Sequence, residues 1–196
     1  MLQEIRNTLR PAFALLILFT LLTGIAYPLA VTGIAQIAFP AQANGSLIAD
    51  KSGVIGSRLI GQSFVQDRYF HGRPSAAGKG YDASASAASN LAPGSKDLAD
   101  RIGHDVAALR TQGLTGPVPA DMVTTSASGL DPHLSPEAIA IQVSRVAKAR
   151  ALAPELVQGA VLSSTEYPLF GLIGEPRVNV LQLNRQLDAL SAKPEK

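Results

Sequence analysis

Between Arg10 and Asp50 the chain carries no charged side chain, a gap of 39 residues. No other feature limits the fold as strongly. Ala12 to Ile25 reads AFALLILFTLLTGI, and Ala26 to Phe39 stays apolar with a few small polar residues. About 20 apolar residues in a helix cross the hydrocarbon core of a bilayer. With 196 residues in all, the rest of the chain is enough for one ordinary domain. A domain of that size has little room to wrap so apolar a helix on every side, so a buried core helix is the weaker reading. A cleaved signal peptide is a rival, with Ala41-Gln42-Ala43 as a small-x-small site. The apolar run outlasts a signal h-region of about 7–15 residues, and the span is expected to be retained.

Within this span, Pro11 suits the first turn of a helix, where its missing N–H costs nothing. Gly24 and Pro28, with Tyr27 between them, predict a bend or a loosened turn. Gly24, Thr32 and Gly33 are small enough to let a neighbouring helix approach, and are the candidate contacts with a membrane partner. The alternative for these small residues is a lone anchor.

The flanks set the orientation. Arg6, Arg10 and the amino terminus precede the span, opposed by Glu4 alone. Positive charge beside a span tends to stay in the cytoplasm, which sends the following domain outward. With Arg6, Arg10 and Glu4 set aside, 15 basic and 14 acidic side chains remain. No stretch gathers Lys and Arg on one face, so nothing reads as a nucleic-acid footprint. The absence of cysteine excludes disulfides, iron–sulfur clusters and cysteine zinc sites. The expected organisation is a cytoplasmic tail (1–10), a transmembrane helix (11–38), a linker (39–56) and an extracytoplasmic domain (57–192).

Inside the domain, Leu59–Phe64 reads as a short strand, followed by a turn-rich run from Tyr69 to Ser75. Residues 76–95 are mostly Ala, Ser, Gly, Asn and Pro with almost no large apolar side chain, a loop without its own core. Leu98, Ile102, Val106 and Leu109 recur at helical spacing over roughly Lys96–Gln112. Ser135 then reads as an N-cap with Pro136 in the first helical position, opening a helix expected to run to about Arg150. In it Ile139, Val143 and Val146 share a face, with Gln142 on the edge beside Arg145. Further helices are expected from Pro154 and over Asn179–Leu190. The fold class is α+β: one N-terminal transmembrane helix, then a small exported α+β domain.

Catalytic chemistry is hard to find. His71, His104 and His133 are isolated, and none has a partner at metal-ligand spacing, so no metal site is expected. Ser128, Asp131 and His133 crowd into six residues, whereas a triad converges from separated elements, so no catalytic residue is assigned. Gly72–Gly80 lacks the spacing and the Ser or Thr of a phosphate loop. Gln142, Arg145, Lys148 and Arg150 could gather an anion, although such faces are usually only solvated.

Several blocks resemble a known family. They are Arg10-Pro11-Ala12, Tyr27-Pro28-Leu29, Gln42 to Ile48, Leu59 to Phe64, Tyr69 to Ala76, Val123 to His133, Arg145 to Arg150 and Gly174 to Leu181. In order, they are similar to the C subunit of Kdp, the high-affinity potassium-transporting P-type ATPase of bacteria. One stretch departs: Tyr81-Asp82 and Ala88-Ser89-Asn90-Leu91 stand where the family has Tyr-Asn and Gly-Ser-Asn-Leu. The resemblance implies a non-catalytic subunit needed for assembly, in the bacterial inner membrane. Its partners would be a channel-like potassium-translocating subunit and an ATP-hydrolysing subunit. It also implies a chaperone that raises the hydrolysing subunit's affinity for ATP, with Gln142, and Arg145 beside it, as the nucleotide contact. Charge and resemblance pull apart here, because an exported domain cannot meet cytoplasmic ATP; a cap on the outer mouth of the channel subunit fits the charge pattern better. An exported, anchored binding module unrelated to transport is the alternative.

Overall fold

The computed structural model describes residues 2–51, 53–168 and 170–191. The domain boundary expected at residue 192 lies outside them. The chain divides into two compact units, Met1–Ile55 and Gly56–Lys196.

The first unit is built on α1 (Leu2–Leu21) and α2 (Tyr27–Ala38), joined through a wide π turn at Leu22–Ala26. Together Gln3–Ala38 is long and apolar enough to cross a membrane. The loosened turn expected before Pro28 is this π turn. Proline has no N–H to give and its ring crowds the preceding turn, so one extra residue is taken into the coil. Beyond it, the stretch read as a linker carries a short helix, α3 (Pro40–Ala43), and two paired strands, β1 (Leu47–Asp50) and β2 (Gly53–Ser57).

The second unit holds α4 (Lys96–Thr111), β3 (His133–Leu134), α5 (Pro136–Ala140), α6 (Val143–Arg150), α7 (Pro154–Ser164), β4 (Thr165–Glu166), β5 (Arg177–Asn179) and α8 (Val180–Ser191). β5 is the middle strand, antiparallel to β3 (His133 opposite Asn179) and to β4 (Thr165 opposite Val178). The core gathers Phe70, Leu134, Ile139, Val146, Val157, Val178, Leu183 and Leu187. The expected α+β class is what forms.

Side-chain caps explain three helix starts. Ser95 Oγ accepts the Leu98 N–H at 3.3 Å, and Ser135 Oγ accepts the Ala138 N–H at 3.1 Å. Asn179 ends β5 and caps α8, its Oδ1 accepting the Gln182 N–H at 3.1 Å. Two expectations fail. Leu59–Phe64 is not a strand among the described residues: Gly61 donates its N–H to the Leu130 carbonyl at 2.7 Å. A Cβ there would lie 2.8 Å from the Asp131 carbonyl oxygen, so backbone packs on backbone where a strand would need a side chain. The helix from Ser135 to Arg150 is also broken, between α5 and α6. The Gln142 N–H leaves the Ala138 carbonyl and bonds Ile139 at 2.9 Å. The Gln142 side-chain Nε2 then donates to Ala138 at 3.1 Å, so the amide replaces the lost helix bond.

Candidate functional site

The segment from Asp67 to His71 lies in no strand among the described residues, yet every one of its carbonyls is satisfied. Five consecutive carbonyls each receive a side-chain donor. Arg145 Nη1 reaches Asp67 at 2.6 Å and Tyr69 at 3.0 Å, and Arg150 Nε reaches Arg68 at 2.6 Å. Asn184 Nδ2 reaches Phe70 at 2.9 Å, and Gln142 Nε2 reaches His71 at 3.2 Å. The two amides also accept. Asn184 Oδ1 takes the Phe70 N–H and Gln142 Oε1 the His71 N–H, each at 2.8 Å. Each amide thus pairs with one residue as a neighbouring strand would, and α8 and the break before α6 stand in for a sheet edge.

Gln142 and Arg145, the predicted nucleotide contacts, do come together. Arg145 Nη2 donates to Gln142 Oε1 at 2.8 Å. Gln142 is only 5% exposed, and both ends of its amide are engaged within the domain. They line a cleft of about 760 Å³ with Asp67, His71, Met122 and Lys148. Burial lowers the His71 pKa and the Arg145 charge lowers it further, against the Gln66 carbonyl and Asp67. Burial also lowers the Arg145 pKa, with Asp67 opposing, although a guanidinium keeps its charge in proteins. Arg150 does not join this cleft. Its side chain, 1% exposed, pairs with Asp188 at 2.9 Å and lies over the Tyr69 ring. The four-residue anion face read from the sequence is therefore divided.

A second cleft, about 940 Å³, was not foreseen. Arg73, Asp121, Thr124, Asp131, His133 and Glu175 are among its lining residues. Asp131 accepts from Arg73 Nη1 at 3.1 Å and from the His133 N–H at 3.0 Å. Burial pushes the Asp131 carboxyl up, but the His133 hydrogen bonds and the Arg73 charge outweigh it and hold it below the usual carboxylate range. Tyr81, pushed up to about 12 by burial and by Asp131, donates its hydroxyl to the Arg73 carbonyl at 2.7 Å. Ser128 Oγ instead receives the Leu130 N–H at 3.1 Å, a turn contact. The signal for this cluster lay in two blocks, Tyr69–Ser75 and Leu130–His133, 58 residues apart at the Arg73–Asp131 contact.

In the first unit, Gly24, Thr32 and Gly33 lie on exposed helix. Elsewhere on the domain, Tyr167, Phe170, Leu172 and Ile173 form an exposed apolar loop, each at least 69% accessible.

A long apolar helix thus precedes an α+β domain in which Gln142, Arg145, Arg150 and Asn184 bond the domain's own backbone. Comparison with known proteins makes this specific. Residues 9–189 match the family model described as K+-transporting ATPase, c chain, and the chain belongs to that family. It is 57% identical over 182 residues to the potassium-transporting ATPase KdpC subunit of Caulobacter vibrioides, covering 92% of each chain. The subunit of that name from Bradyrhizobium diazoefficiens is 54% identical over 205 aligned positions, covering 98% of this chain and all of the relative. That from Methylobacterium nodulans is 53% identical over 197, covering 94% and 98%. The chain is thus a membrane protein and an accessory, non-hydrolysing member of the pump family. The match sets aside the alternative of a binding module unrelated to transport.

Proposed function

We propose that this chain anchors and helps assemble a potassium-uptake ATPase, with its N-terminus in the cytoplasm and its domain on the outer face of the inner membrane. The observation that carries this is the family match, which spans both the apolar helix and the domain. The orientation rests on Arg6 and Arg10 beside the span, since moving such charges across costs about 2.5–3.5 kcal/mol each at mid-bilayer. The domain caps the outer mouth of the channel-like potassium-translocating subunit, and the exposed Tyr167, Phe170, Leu172 and Ile173 support a protein contact there. Any influence on the ATP affinity of the hydrolysing subunit then passes through the assembled complex.

Direct nucleotide contact is the second reading, favoured by Arg145 and Lys148 lining one cleft with Gln142. Against it stands the commitment of the Gln142 amide to His71 and Ala138.

Co-purification tests the leading reading. The tagged chain should bring a multi-spanning partner through detergent, and Gly24→Leu should weaken that association while leaving membrane insertion intact. A chain that purifies alone would contradict the proposal. Unchanged recovery of the Gly24→Leu complex would mean that Gly24 faces lipid.

A further inference from the structure

The π turn at Leu22–Ala26 leaves a backbone carbonyl without its helix partner. In an α-helix the Thr23 carbonyl would receive the N–H of Tyr27, four residues on. Here the Tyr27 N–H goes to Leu22. One register further, the donor would be residue 28, which is proline and has no N–H. The Thr23 hydroxyl does not compensate, since it donates to Phe19 at 2.6 Å. No side chain among the described residues reaches the Thr23 carbonyl. The next residue is Gly24, which has no side chain to cover it; even an added Cβ would meet nothing nearer than Thr20 Cγ2 at 4.0 Å.

The setting makes this unusual. Thr23 stands near the middle of the stretch from Pro11 to Ala38, where lipid tails offer no donor. A polar backbone group left unpaired in hydrocarbon is costly, and in broken membrane helices neighbouring helices, Ser or Thr side chains, or ordered water supply the partner. Polar side chains that bond across helices do this.

We infer that the Thr23 carbonyl is a docking point for a hydrogen-bond-donating side chain, a hydroxyl, amide or indole N–H, on a membrane span of another subunit. The inference rests on the proposed role of this chain as a subunit of a multi-span complex. Pro28 creates the free acceptor, and Gly24 keeps it open.

The test is infrared spectroscopy of the full-length chain with an isotope-labelled Thr23 carbonyl, alone in detergent and within the purified complex. The labelled band should sit at the frequency of a free carbonyl in the isolated chain and move to lower frequency on assembly. In Pro28→Ala the restored N–H should lower the band before assembly. That variant should also hold the partner about three- to tenfold less tightly, as loss of one interhelical hydrogen bond would give. A band that is already low in the isolated wild-type chain would mean that water, lipid or a second copy supplies the donor, and would overturn the inference. So would a band unmoved on assembly. A wild-type chain that brings no partner through purification would instead remove the subunit reading itself, which separates the two failures.

Discussion

Asn184→Ala is expected to destabilise the domain by about 2–5 kcal/mol. Asn184 is 1% exposed, and its amide is bonded to both the N–H and the carbonyl of Phe70, which is itself fully buried. Truncation leaves two backbone groups unpaired away from water, at about 1–3 kcal/mol each, with a small cavity besides. For a domain of this size that is a fall in melting temperature of about 8–20 °C. Thermal unfolding of the full chain in detergent, followed by near-ultraviolet tyrosine dichroism, measures it. Asn184→Asp sets a buried carboxylate against the Phe70 carbonyl, so at neutral pH it should destabilise at least as much as Ala. A loss below about 1 kcal/mol in the Ala variant would mean that water or a shifted backbone replaces the pair.

Gln142→Ala is the second large effect, at about 2–4 kcal/mol. It removes partners from the His71 N–H, the His71 carbonyl and the Ala138 carbonyl, and it frees one Arg145 donor. The cleft beside it admits water to part of this set, which keeps the cost below the sum of the separate penalties. If Gln142 serves the fold, the variant melts lower while the assembled pump keeps its KM for ATP within about twofold. If it binds nucleotide, the KM rises severalfold with melting unchanged. Gln142→Glu sharpens the contrast. It retains an acceptor for the His71 N–H and for Arg145 but sets a carboxylate against the His71 and Ala138 carbonyls, so a scaffold role predicts destabilisation.

The parts of this molecule legible in the sequence are those written over a few adjacent residues. The 39-residue uncharged gap, the Ser135-Pro136 cap, the periodicity behind α4 and the loosened turn before Pro28 all depend on near neighbours. What was missed depends on distant ones. The His71–Gln142 pair spans 71 residues and the Phe70–Asn184 pair 114, so no local pattern marks Asp67–His71 as a segment held by side chains. The break between α5 and α6 was hidden for a related reason. Its apolar residues keep helical spacing, and only the amide of Gln142, turned back onto Ala138, makes the interruption tolerable. Leu59–Phe64 was misread because Gly61 packs against the backbone of Leu130 and Asp131, which are remote in sequence.

The side of the membrane on which the domain lies decides whether Gln142 can meet ATP at all. Protease added to sealed spheroplasts measures this directly, with detection of a tag at the amino terminus and of the domain itself. The account predicts that external protease digests the domain and leaves a short tagged fragment containing the span, with a cytoplasmic marker protein intact. A domain that stays whole in sealed spheroplasts and is cut only after lysis would contradict it, and would place Gln142 and Arg145 on the side where ATP is found.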